Sequence, residues 1–207
     1  MDRYIVNKMN YLKYNNLYGS GKKHITIITK EMELLEKNAD GLYVLDRLHN
    51  VDHTDIDGLN NLIKPLEQLN NLVFLDFHGV VDLFDKDARI PYKGRINMCC
   101  ISYIGGKNET IGGFVNDILP RIKSGEMMFA VIVYTKKKNP IIGTKAWFLS
   151  LISQIIKDQC IINFIDDSLV NINCVQKLNL PNIISHFIDN TQSDDVKKQS
   201  IISILES

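Results

Sequence analysis

With 207 residues, 45% of them hydrophobic and 23% charged, the chain is long enough to bury a real core as one domain or one domain with an elaboration. Its 24 Lys and Arg balance 24 Asp and Glu, so it carries no overall electrostatic footprint for non-specific binding to nucleic acid or a membrane surface. No apolar run approaches the length of a membrane span, and Met1 to Ile5 shows no basic region leading into a long apolar segment, so a cytoplasmic setting is expected.

Residues 1–23 are polar and rich in Asn, Lys and Tyr, which predicts an exposed arm. Their end, Gly19-Ser20-Gly21-Lys22-Lys23, is not a phosphate loop, because Asn16 stands where a glycine is required and no strand precedes it. His24 to Thr29 is β-branched and predicts a strand; Lys30 to Lys37 predicts a short helix and Gly41 to Asp46 a second strand. His49, His53 and the neighbouring Asp46, Asp52 and Asp55 resemble a metal cluster only superficially. A His-x-x-x-His pair shares a face on a helix, and this Asp/Asn-rich segment reads as a loop. Asp55 to Leu69 places Leu59, Leu62, Ile63, Leu66 and Leu69 at helical spacing, with Pro65 as a kink or early stop.

Leu72 to Leu75 follows as a short, buried strand with the carboxylate of Asp76 at its end, and Gly79 permits a sharp turn just beyond it. Leu83 to Arg95, charged and carrying Pro91 and Gly94, predicts a loop. Strands are then expected at Asn97 to Tyr103, Met127 to Tyr134, Cys160 to Ile165 and Asn182 to Ile188. Helices are expected at Glu109 to Lys123, from Thr144 as N-cap, and at Ser193 to Glu206. Cys99, Cys100, Cys160 and Cys174 all lie in or beside apolar stretches with no Cys-x-x-Cys pair, which predicts buried, reduced thiols. Alternation from residue 71 onward predicts a Rossmann-like α/β fold, with a parallel sheet covered by helices on both faces. Residues 71–207 form this domain, and residues 1–70 are an N-terminal α/β extension packed on it.

Four polar features stand at or just past elements of this series. They are Asp76 in Val73-Phe74-Leu75-Asp76-Phe77-His78-Gly79-Val80-Val81, Ser102 in Cys99-Cys100-Ile101-Ser102, Lys145, and Asp166-Asp167 in Ile162-Asn163-Phe164-Ile165-Asp166-Asp167-Ser168. Their order and setting resemble the haloacid dehalogenase-like hydrolase superfamily over about residues 71–190. The resemblance implies a Mg²⁺-dependent phosphatase acting through an aspartyl-phosphate, with Asp76 as nucleophile and Ser102 and Lys145 as phosphate-binding groups. It implies metal ligation by Asp76, Asp166, Asp167 and the backbone carbonyl of His78, with the Asp76 strand lying between the Ser102 and Asp166 strands. The chemistry is coherent: a carboxylate attacking phosphorus splits hydrolysis into two easier steps, and a hard cation with oxygen ligands offsets the repulsion between anions.

His78 departs from the family pattern, which has a second aspartate two residues after the nucleophile as general acid and base. Imidazole is able to do that work near neutral pH, but beside a divalent cation its protonated form is disfavoured. A catalytically weakened member, retained as a binding or interaction module, is therefore the alternative. Only Leu83 to Arg95 occupies the place of a cap, so an open site is expected, suited to a phosphate on a larger molecule such as a nucleotide or polynucleotide. Lys136-Lys137-Lys138 would stand beside its mouth, although zero net charge gives no independent support for nucleic acid.

Overall fold

The computed structural model describes residues 25–30, 34–37, 43–45, 49–51, 64–85, 89–92, 97–104, 111–134, 143–156 and 159–207. The apolar runs of the carboxyl-terminal two thirds become strands β5 (Asn71–Leu75), β6 (Asn97–Tyr103), β7 (Ala130–Val133), β8 (Ile161–Asp166) and β9 (Ile183–Phe187). Between and after them lie helices α1 (Ile111–Lys123), α2 (Lys145–Ile155), α3 (Leu169–Gln176) and α4 (Asp194–Glu206). Upstream are β1 (Ile25–Ile28), β2 (Leu34–Lys37), β3 (Tyr43–Leu45) and β4 (His49–Val51).

One seven-stranded sheet runs in the order β4-β1-β7-β6-β5-β8-β9, and β2 and β3 form a separate antiparallel pair. The five strands from β7 to β9 are mutually parallel, while β1 joins β7 and β4 joins β1 in antiparallel register. The β5 strand thus lies between β6 and β8. From β5 the chain moves outward to β6 and β7, then returns to the other side of β5 for β8 and β9. The β5/β8 boundary is therefore the topological switch point, and ligands of open α/β sheets bind beyond the carboxyl ends of the strands at such a point.

Side chains alternate across these strands, so each face has its own core. Phe74, Cys99, Ile101, Val131, Ile162 and Phe164 pack against α2 and α3. Val73, Leu75, Met98, Cys100, Ile132 and Ile165 pack against α1 and α4. Phe74 and Phe148, both fully buried, meet edge to face at 5.9 Å. Burying each ring contributes roughly 1.5–3 kcal/mol. All four cysteines are buried thiols outside any disulfide, and burial pushes Cys99 and Cys100 well above their ordinary range. No described helix is long and apolar enough to cross a membrane.

Three local expectations need correction. Part of the expected Lys30 to Lys37 helix is strand β2, whose Leu34 opposes Leu45 of β3. Good helix formers in a segment this short yield to cross-strand pairing, because a helix of two turns is marginal alone. His49, expected in a loop, opens β4 opposite Ile27. Of the expected Asp55 to Leu69 helix, Lys64–Gln68 is a 3₁₀ helix, with Pro65 in its first turn where a missing N–H is harmless. The arm at residues 1–23, residues 52–63 with His53, Asp52 and Asp55, Asp46, and Lys136-Lys137-Lys138 lie outside the described residues.

The path from β5 to β6 contains no α-helix among the described residues, only a 3₁₀ turn at Val81–Leu83. A buried ion pair anchors it. Arg121 on α1 sits 3.0 Å from Glu126 and donates to the carbonyls of Phe84 and Asp85 at 2.9 Å each. Glu126 in turn accepts from the Ile90 N–H at 2.7 Å. One guanidinium thus fastens the segment to α1, Nη1 through Glu126 and Nη2 through the two carbonyls, the kind of multidentate contact for which Arg is suited.

Candidate active site

Asp76 follows the last residue of β5. Its N–H still donates to the Ile165 carbonyl of β8 at 2.9 Å, so the ladder carries it to the sheet's rim before the chain turns. The turn is built from local bonds. Phe77 N–H donates to Asp76 Oδ1 at 2.7 Å, Val81 N–H to the Asp76 carbonyl at 3.2 Å, and Asp82 N–H to the Phe77 carbonyl at 3.0 Å. Gly79 sits in the left-handed region at φ +69°, and a Cβ there would run into the carboxylate of Asp167, with Cγ only 2.8 Å away. Only glycine satisfies both the dihedral and the close approach.

Asp166 ends β8 and is fully buried. Its Oδ1 accepts from the Ser168 N–H at 2.7 Å, and both its oxygens accept from Asn171 Nδ2, at 3.1 and 3.0 Å. Lys145 arrives from the other direction, as the first residue of α2. Thr144 caps that helix by accepting from the Trp147 N–H at 3.1 Å. The buried Lys145 ammonium lies 2.6 Å from Asp76 Oδ2 and 2.8 Å from Asp166 Oδ2. Asp167, half-buried, completes the group: one carboxylate oxygen from each of Asp76, Asp166 and Asp167 lies within 4.8 Å of the others.

Four of the residues singled out in the sequence, Asp76, Lys145, Asp166 and Asp167, therefore converge. Ser102 stands near the carboxyl end of the adjacent strand β6, fully buried, and its Oγ has no hydrogen-bond partner. The His78 ring is 44% exposed and lies 3.5 Å from Asp82 through Nδ1. Three contributors have no local sequence signal: Asn171 on Asp166, Asp82 beside His78, and Asn190, whose Nδ2 reaches Asp167 at 3.5 Å.

The electrostatics are lopsided, since three carboxylates share one ammonium. Burial pushes the Asp76 carboxyl up to about 7; Lys145 opposes the rise, and Asp166 and Asp167 reinforce it. Burial and Asp166 likewise raise Asp167. Burial works against a charged Lys145, yet Asp76 and Asp166 hold its pKa above the ordinary lysine value. An excess of negative charge in a desolvated site is costly unless a proton or a cation meets it. The all-oxygen donor set matches a hard divalent cation, whose two charges would balance the two in excess. The unpartnered Ser102 hydroxyl is a donor at the same sheet edge, suited to an anionic oxygen. Comparisons with protein-family models, with curated proteins and with solved structures returned no match.

Proposed function

We propose that this chain is a Mg²⁺-dependent phosphomonoester hydrolase of the haloacid dehalogenase-like type, with Asp76 as the nucleophile. The observation that carries the reading is the unbalanced carboxylate group at the switch point: Asp76, Asp166 and Asp167 around the single ammonium of Lys145. The position of β5 between β6 and β8 agrees with what the motif order implies. Asp76, Asp166 and Asp167, with the backbone carbonyl of His78, would hold the cation. Mg²⁺ supplies Lewis-acid charge neutralisation at the phosphoryl oxygens.

The chain's own groups divide the remaining work. A carboxylate oxygen of Asp76 forms the bond to phosphorus as the bond to the leaving-group oxygen breaks, giving an aspartyl-phosphate. Water then cleaves that acyl phosphate, which restores Asp76 and releases inorganic phosphate. Lys145 offsets charge on the phosphoryl group from a helix N-terminus that already favours anions. Ser102 donates to a phosphoryl oxygen and so acquires the partner it lacks. His78, solvent-accessible and two residues after the nucleophile, delivers a proton to the leaving group.

A second reading, a phosphate-binding or interaction module with weak turnover, rests on His78. Its ring is turned to Asp82, and the position holds no carboxylate. Hydrolysis of a generic aryl phosphate, measured with and without Mg²⁺ and with Asp76→Asn, separates the two. Mg²⁺-dependent turnover that vanishes in Asp76→Asn is expected; background rates in both proteins, with phosphate still bound, would establish the module instead. A large gain in His78→Asp would mark the natural protein as limited by acid catalysis.

A further inference from the structure

Five large apolar side chains are exposed among the described residues, and three of them stand at or just past the carboxyl ends of the neighbouring strands β8 and β9. They are Leu169 (55% exposed), Val170 (47%) and Phe187 (42%). Leu169 and Val170 open α3 directly after the Asp166-Asp167-Ser168 turn. Phe187 is the register partner of Asp166 in the parallel β8/β9 ladder, so the two side chains leave the same face of the sheet, the face that α3 covers. The chain just past Phe187 stays against the site: Ile188 N–H donates to the Asp166 carbonyl at 3.0 Å, and Asn190 reaches Asp167.

Scattered apolar residues on a surface need no explanation, but a cluster beside a polar centre marks a contact site. The other described charges on this flank, Asp167 and the exposed Asp189, are acidic. We propose that Leu169, Val170 and Phe187 form a platform for an uncharged aromatic leaving group, which makes aryl phosphate monoesters the preferred substrate class. This rests on the phosphatase reading of the same site. In that reading the phosphoryl group is held over Asp76, and the group it is leaving extends across the β8/β9 rim onto the platform, where dispersion and desolvation reward a flat apolar ring.

Two non-hydrolysable probes of like headgroup, phenylphosphonate and methylphosphonate, test this by calorimetric titration of the full chain with Mg²⁺ present. The wild type is expected to bind the phenyl compound about tenfold more tightly. Leu169→Ser and Phe187→Ser, made singly at exposed positions, should each erode that ratio several-fold and leave methylphosphonate binding unchanged. Equal affinity for the two probes, or a ratio that survives both substitutions, would overturn the platform. If Asp76-dependent hydrolysis persisted in that case, the phosphatase reading would stand without it. Failure of both probes to bind would remove both readings. Parallel loss of methylphosphonate affinity in the variants would assign these residues to site integrity and reject the specificity role.

Discussion

Adding Mg²⁺ at two pH values is the most direct test of the charge imbalance. Asp76 has its folded pKa raised to about 7 from an ordinary 3.8. A carboxyl raised on folding binds its proton more tightly in the folded state. The stability it contributes is therefore fully present below the unfolded value and is lost as pH rises through about 7. For the metal-free protein this amounts to as much as roughly 4 kcal/mol between about pH 4 and pH 7, with Asp167 adding in the same direction. A cation that uses Asp76 must displace that proton. At about pH 5.5 its apparent affinity falls about 30-fold relative to pH 8. With metal at about 100 times its high-pH dissociation constant, stabilisation is about 2.7 kcal/mol at pH 8 and about 1 kcal/mol at pH 5.5. For a chain of this length that is a Tm increase of about 5–10 °C against about 2–3 °C. Thermal or urea unfolding with and without MgCl₂ measures both. An equal increase at the two pH values, or the same pattern in Asp76→Asn, would refute a proton–metal competition at Asp76.

Lys145→Met removes the ammonium that contacts two buried carboxylates, and breaking such a group from one side costs about 3–5 kcal/mol. Urea unfolding of the metal-free variant should show this loss at pH 8 and a smaller one where Asp76 is protonated. Gly79→Ala forces a side chain into φ +69° and against the Asp167 carboxylate. It should destabilise by about 1–2 kcal/mol and weaken Mg²⁺ binding in the same titration, whereas unchanged metal affinity would dissociate Asp167 from the site. Ser102→Ala deletes a buried hydroxyl with no partner, so the metal-free protein should hold or gain up to about 1 kcal/mol while inorganic phosphate binds more weakly. A clear loss of stability would mean that the hydroxyl already has a structural partner.

What the sequence made legible was what local pattern determines. Leu72 to Leu75 is apolar on both faces because helices cover both, Ile161 to Ile165 is so except at Asn163, and the two runs mark β5 and β8. The carboxylates that end them are visible for the same reason, since each interrupts a buried run. The α3 helix escaped notice because Leu169 and Val170 are apolar yet exposed while Ile172, Cys174 and Val175 are buried, which blurs the helical period. Asn171 went with it. Asp82 and Asn190 acquire their contacts only through the turn after β5 and the approach of the β9–α4 connection, which no spacing encodes. The anchoring of Phe84 to Ile90 by Arg121 and Glu126 joins residues more than thirty positions apart and is equally silent in the chain.

The features that weaken the metal-free fold are concentrated at one edge. Three crowded carboxylates, a buried hydroxyl without a partner and a left-handed glycine under a carboxylate all lie where β5, β6 and β8 end. At the opposite end of the sheet a polar group is satisfied: Asn97 Nδ2 donates to the Asn71 carbonyl at 3.0 Å. A chain selected only for stability would spread such defects or fill them, because each is removable by a single substitution. One further unpartnered hydroxyl, that of Thr29, lies elsewhere, but the groups crowded where β5, β6 and β8 end are those a cation and an anionic oxygen would satisfy. Ligand binding there should accordingly stabilise the protein more than its contact area suggests, and Ser102→Ala should remove part of that surplus without disturbing the core.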